Sequence, residues 1–148
     1  MIAPQLWGDP EGIVFRQFDE DGLPSVEIEL GVQLDRLMNG MRASVAALAK
    51  AGNHCVVDDV MLASTDQQHY FEVCSGLPLQ FVAIHAPLNI LEERERVRGN
   101  RLLGLARWQF LRVHRDIEYD FEIDTSVHNS QETAKAIATA LGVSMSNS

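Results

Sequence analysis

Apolar and polar positions change period several times along this chain, and each change marks an element. Gly12 to Phe18 (GIVFRQF) alternates apolar and polar residues, Asp19-Glu20-Asp21-Gly22 supplies turn chemistry, and the alternation resumes from Leu23 to Leu30. A period of two on both sides of a glycine-closed turn predicts a hairpin. One of its faces is polar, which places it at the surface rather than in a central sheet. From Gly31 to Ala51 the period lengthens. Leu34, Leu37, Met38, Met41, Val45 and Leu48 recur at helical spacing and Gly52 provides the stop, with Gly40 weakening the pattern slightly.

The following segments are shorter. His54 to Val60 reads as an apolar strand that runs into two carboxylates, Asp58 and Asp59. Ala63 to Ser75 predicts a helix capped by Ser64 or Thr65. Leu79 to His85 has the continuous apolar character of a buried parallel strand. Pro87 to Val97 is helical, with proline placed where a helix starts, and Asn100 to His114 is predicted as a further helix. Tyr119 to Ile123 (YDFEI) is a third short strand leading into Asp124-Thr125-Ser126. Ser130 to Leu141 forms an amphipathic terminal helix closed by Gly142, beyond which Ser144 to Ser148 is expected to fray. Strand and helix alternate through most of this order, which argues for a parallel sheet covered on both faces.

Length and composition add bounds. A chain of 148 residues, 46% apolar and 22% charged, fits one domain with a sizeable core. No apolar run approaches bilayer length, and the N-terminus lacks a basic segment followed by an apolar one. Membrane insertion and export are therefore disfavoured, and a cytoplasmic location is expected. The net charge of -9 argues against general nucleic-acid binding. Cys55 and Cys74 have no metal-type spacing and are expected to be buried and reduced. The five histidines form no pair at ligand spacing. Trp7, Trp108 and Phe110 are expected mostly in the core. The oligomeric state is not readable.

Against this acidic background, Leu91 to Gln109 concentrates Arg94, Arg96, Arg98, Arg101 and Arg107 around a Gly99-Asn100 break. Two accounts are open. Glu92, Glu93 and Glu95 could pair with arginines at i+3 and i+4 on a solvated helix. Alternatively, the guanidinium groups could close over a transferring phosphoryl group and neutralise its oxygens. Asp58 and Asp59 at a strand end could hold magnesium beside nucleotide phosphates, or merely cap and turn the chain. Asp124-Thr125-Ser126 could contact a base or only lead into the helix.

Taken together, VVDDV (Val56 to Val60), RERVRGNRLLGLARWQ (Arg94 to Gln109), Val113-His114, Tyr119-Asp120, Asp124 to Ser126 and the helical Glu132 to Ile137 resemble the chloramphenicol phosphotransferase-like family of small P-loop kinases. The acidic hairpin Gly12 to Gly22 fits the same order. The resemblance implies a three-layer α/β/α P-loop kinase-like parallel sheet, and transfer of the ATP γ-phosphoryl group to a hydroxyl of a small, partly apolar acceptor such as chloramphenicol. It also assigns roles by position. Arg98 and Arg101 match the pair that faces the nucleotide phosphates, although Asn100 stands where the family usually has Asp. Arg94 is placed with the nucleotide, Asp124 and Thr125 with the loop near adenine, and Asp58 and Asp59 with magnesium, directly or through water.

The sequence contains no GxxxxGK[ST], whose backbone N–H groups would cradle phosphates. Its lysines, Lys50 and Lys135, do not follow a glycine. The family order places that loop, the first two strands and an Asp general base before the hairpin, so the resemblance implies a chain that starts late. The sheet is then expected to lack its first two strands, one of them between the strands matching residues 54–58 and 80–85. Losing that partner could consume the whole stability of a domain, about 5–15 kcal/mol, which predicts marginal stability, and the missing phosphate loop and general base predict an inactive chain. The alternatives are a non-catalytic remnant that binds small molecules or anions, and a non-functional fragment.

Overall fold

The computed structural model describes residues 4–143; the expected fraying of Ser144 to Ser148 lies outside the described residues. A short 3-10 turn, Pro4–Leu6, precedes a hairpin of β1 (Ile13–Glu20) and β2 (Leu23–Leu30). Then come helices α1 (Val32–Lys50) and α2 (Ser64–Val73), strand β3 (Val82–His85), helices α3 (Leu88–Arg98) and α4 (Leu105–Phe110), strand β4 (Phe121–Asp124) and helix α5 (Ser130–Ala140).

The hairpin forms as the alternation predicts. Glu20 pairs with Leu23 across a two-residue turn, where Asp21 and Gly22 both adopt positive φ, 55° and 80°. That primed turn follows the right-handed twist of the strands, and Asp19 Oδ1 accepts the Gly22 N–H at 2.7 Å. The hairpin stands apart as its own two-stranded sheet. Its inner residues Ser25 and Val26 are completely buried because the chain before α4 lies on β2, where Val26 N–H donates to Gly104 O at 3.2 Å.

The second sheet pairs β3 with β4 in parallel, Val82 against Phe121 through His85 against Asp124. Asp120 secures its entrance by accepting the Phe81 N–H at 2.7 Å. The main apolar cluster joins Ala46 of α1 to Tyr70 and Cys74 of α2, and both to Met61, Phe81 and Ile117. Gln67 ties the last of these regions to α2, donating to Glu118 O at 2.5 Å and accepting the Glu118 N–H at 3.2 Å. The architecture is a mixed α/β arrangement with small sheets, one of them a parallel pair, consistent with a P-loop kinase-like fold.

Several local expectations need correction. His54 to Val60 forms no strand. Val56 is fully exposed and Val60 half exposed; with no neighbouring strand among the described residues to accept a ladder, the apolar run stays irregular. Neither Ser64 nor Thr65 caps α2 with its side chain. Asp66 reaches back instead to the Leu62 and Ala63 N–H groups, at 3.1 and 3.2 Å. The helix expected over Asn100 to His114 is confined to α4, because Gly104 sits at φ 97° before it and His114 and Asp116 turn the chain at φ 77° and 56° after it. Cys74 is buried but Cys55 is exposed. Trp108 is in the core, whereas Trp7 and Phe110 are exposed.

Candidate functional site

The carboxyl ends of β3 and β4 open towards the arginine-rich segment. Ligands of parallel sheets commonly bind on that side, beyond the strand ends. His85 ends β3, and its carbonyl accepts both the Thr125 N–H at 2.8 Å and the Thr125 hydroxyl at 3.0 Å. Thr125 is thereby fixed just past the end of β4. Arg94 of α3 then grips it from outside, Nη1 donating to Oγ1 at 2.9 Å and Nη2 to the carbonyl at 2.7 Å. This planar, two-pronged contact uses the fork geometry of a guanidinium. The structure thus brings together Arg94 and Thr125 of the expected site residues. Asp124, exposed beside them, accepts the Ser126 N–H at 2.7 Å. The Ser126 side chain first, and this N–H second, hold its carboxyl below the ordinary aspartate value.

Next to this junction is an open cleft of about 500 Å³ lined by Ile84, Arg94, Thr125, His128, Thr133 and Ile137, among others. Its walls come from β3, α3, the loop after β4, and α5. Asn129 starts α5 by accepting the Gln131 and Glu132 N–H groups at 3.0 Å each, while Glu132 returns a bond to the Asn129 N–H. This reciprocal cap fixes the cleft's far wall.

The charged helix separates into structural and unengaged groups. Arg96 pairs with Glu93 one turn away, Nη2 to Oε1 at 2.6 Å, which is the pairing expected on a solvated helix. Glu92 reaches across to Arg107 of α4. Glu95 does something the sequence does not announce. It is buried, and its carboxylate accepts the Gly104 and Ala106 N–H groups, each at 2.8 Å. It therefore caps α4 from a different helix. A helix of six residues with no side-chain cap of its own depends on such an acceptor. The loop from Gly99, at φ 65° in the left-handed region, to Gly104 is held at both ends.

Arg98 and Arg101 flank the start of that loop. Both are exposed, and neither makes a hydrogen bond or ion pair among the described residues. Each guanidinium offers five N–H donors and a fixed charge. Arg98 is the last residue of α3, and Arg101 lies in the loop whose far end Glu95 holds through the Gly104 N–H.

Asp58 and Asp59 part company. Asp58 is exposed on the irregular stretch. Asp59 turns inward, where Oδ2 accepts the Tyr70 hydroxyl at 3.0 Å and lies 3.5 Å from Arg42 Nη2. Arg42, itself buried, bonds Asp66 more closely, at 2.7 Å. Burial opposes the Arg42 charge, but Asp66 and then Asp59 outweigh it and hold its pKa above the ordinary value. Burial, reinforced by Asp59, pushes the Tyr70 phenol well up. The Arg42–Asp59–Asp66–Tyr70 cluster was not legible in the sequence, because Arg42 falls among the polar positions of an ordinary amphipathic helix. No group of three His, Cys, Asp or Glu side chains arranged to hold a metal ion occurs among the described residues. Among those residues, no helix is long and apolar enough to cross a membrane.

Comparison with known proteins agrees with the motif order. Residues 12–142 match the family described as chloramphenicol phosphotransferase-like protein. Two Mycobacterium tuberculosis proteins, from strains CDC 1551 and H37Rv, carry provisional names as O-phosphotransferases. Each is 29% identical to this chain over 119 residues, covering 80% of this chain and 53% of the relative. The chain therefore spans about half the length of the curated relatives it matches.

Proposed function

Since the chain belongs to the chloramphenicol phosphotransferase-like family, we propose that it carries the charge-neutralising side of an ATP-dependent phosphotransferase acting on a hydroxyl of a small molecule. Arg98 and Arg101 would contact the phosphate oxygens, where positive charge matters most as the phosphoryl group transfers. Arg94 would act through Thr125, holding the loop after β4 in register with α3. The cleft bounded by Ile84, Thr125 and Ile137 has the apolar walls and polar rim that suit a nucleotide base.

The observation that carries this reading is the contrast within one cluster. Arg94, Arg96 and Arg107 are engaged, while Arg98 at the end of α3 and Arg101 in the loop whose far end Glu95 holds stand exposed and unpaired among the described residues. Magnesium fits less completely. Asp59 is committed to Arg42 and Tyr70, which leaves the exposed Asp58 as the acid that would meet an ion, through water. When bound, the ion would neutralise charge on the phosphates. A second reading is an anion-binding module that makes the same arginine contacts without transferring the group.

Titration of the chain with ATP, with and without magnesium, followed by NMR tests the arginine assignment. The expected result is a saturable shift of the residue 99–104 amides, at least ten-fold weaker in Arg98→Ala/Arg101→Ala and unchanged in Arg96→Ala. No saturable response in the parent protein, or an undiminished one in the double variant, refutes the assignment. Phosphorylation of an added hydroxyl acceptor would then separate transfer from binding alone.

A further inference from the structure

Two histidine rings meet at the carboxyl end of the β3–β4 pair. His85 is the last residue of β3 and His114 follows α4, with ring centroids 4.4 Å apart. Each ring has its own polar partner: His85 Nε2 lies 2.7 Å from Glu122 Oε2, and His114 Nδ1 lies 2.7 Å from the Tyr119 hydroxyl. His114 is held at φ 77°, a left-handed conformation uncommon outside glycine. Backbone held in such regions gathers at sites that switch. The pair also adjoins the junction that fixes Thr125, because the His85 carbonyl accepts both the Thr125 N–H and its hydroxyl. A displacement of His85 therefore strains both bonds.

Charge decides whether the rings can stay in contact. Among the acids, Glu122 bonds His85 and Asp124 lies within reach of its charge, so His114 has no carboxylate of its own. Arg94 of α3 and His128 bring further basic groups to this corner, and Arg115 and Asp116 beside His114 are exposed and opposite in sign. A proton on each ring would set two cations side by side. Burial, and then His85, already hold the His114 pKa below its ordinary value, against the pull of Glu122. A group depressed in the closed arrangement takes its proton more readily once the contact opens, so acid favours opening. We infer that the His85–His114 contact is a proton-sensitive latch on the Thr125 loop: closed at neutral pH, it parts when both rings are protonated and frees the wall of the cleft that Thr125 forms. The latch needs no bound ligand and stands apart from the nucleotide reading of the arginine loop.

Native-state hydrogen exchange tests the latch, followed by NMR on the intact chain with rates divided by the intrinsic rate at each pH. From about pH 7.5 to about pH 5, opening of the Thr125 N–H should rise about ten-fold. Low concentrations of denaturant should change that opening much less than they change global unfolding, because a local opening exposes little surface. His114→Asn suits a left-handed backbone, and His85→Gln keeps the carbonyl that holds Thr125; each should abolish the rise. The inference fails if Thr125 opening does not rise with acid, if its denaturant dependence matches that of global unfolding, or if the rise persists in either folded variant.

Discussion

Glu95 gives the sharpest test of how the arginine loop is held. Glu95→Ala removes the acceptor for two backbone donors, Gly104 N–H and Ala106 N–H, both at 2.8 Å. Hydrogen bonds to a charged group contribute about 1.5–3 kcal/mol each. The carboxylate is buried, so its own desolvation offsets part of that gain, and the lower bound is the better guide. Two bonds at that bound give a loss of about 3 kcal/mol. For a chain of this size about 3 °C accompanies each kcal/mol, so the melting temperature should fall by about 10 °C. Glu95→Gln keeps one carbonyl acceptor but turns an amide N–H towards the other donor, and should lose about 2 kcal/mol. Thermal unfolding gives the totals, and hydrogen exchange localises them. Protection should drop first at Gly104 and Ala106, and less at residues of β3. Anion affinity at Arg98 and Arg101 should weaken in parallel, because the loop that begins after Arg98 and carries Arg101 loses the anchor at its far end. If Glu95→Ala melts within about 1 °C of the parent, with protection at those two amides unchanged, the carboxylate is not what holds α4.

Other substitutions probe neighbouring features. A Cβ on Gly104 would lie 2.4 Å from Pro24 O, and the residue is at φ 97°, so Gly104→Ala should cost at least about 3 kcal/mol by combining strain with a backbone clash. At Gly99, also at positive φ, the nearest atom is 4.0 Å away, so Gly99→Ala should cost only about 1 kcal/mol. Equal losses in thermal melts would remove the steric argument for the docking of this loop on β2. A pH series addresses His114, whose pKa burial lowers, helped by His85 with ring centroids 4.4 Å apart, while Glu122 works in the opposite direction. A histidine depressed in the folded state binds its proton more readily when unfolded. Stability should therefore fall as pH drops below about 6.5, the unfolded value, and level off below the folded one. His114→Asn should flatten that part of the curve, and an unchanged slope in denaturant unfolding would count against the histidine.

Periodicity located the hairpin, α1, α3 and α5 as elements because turn and helix-end signals are local, although the faces that the helices bury are not simply the apolar ones. The β1–β2 alternation ends in a turn whose residues accept positive φ, and α1 forms as a helix although it packs on α2 through Ala46 and Arg42 while Leu37 and Leu48 of its apolar stripe stay exposed. Local signals fail where a segment's state depends on what lies beside it. Val56 and Val57 have strand composition, yet a strand is a property of a pair, and among the described residues nothing pairs there. The same reasoning covers the charged helix. Glu92, Glu93 and Glu95 are interchangeable as a sequence pattern, but the fold sends one to a distant arginine, one to a neighbour in its own helix, and one into the interior. Spacing along α3 cannot distinguish these fates, because the partner of Glu95 is the backbone of another helix.

That division also bears on which arginines could act on a ligand. A guanidinium already satisfied by a carboxylate must give up that partner before it can bind a phosphate, whereas an exposed, unengaged one gives up only water. Arg96 and Arg107 are of the first kind; Arg98 and Arg101 are of the second. Arg94 is intermediate, since its partner Thr125 is neutral and its charge remains uncompensated at the mouth of the cleft. Arg94 can therefore add long-range attraction for an anion while still fixing the loop. Arg94→Lys would keep the charge and lose the two-pronged grip. A function limited to attraction would survive that exchange, whereas positioning of the Thr125 loop would not. Comparing Arg94→Lys with Arg94→Gln in the ATP titration separates the two: positioning requires both variants to lose affinity alike, and full retention by the lysine variant would reduce Arg94 to a source of charge.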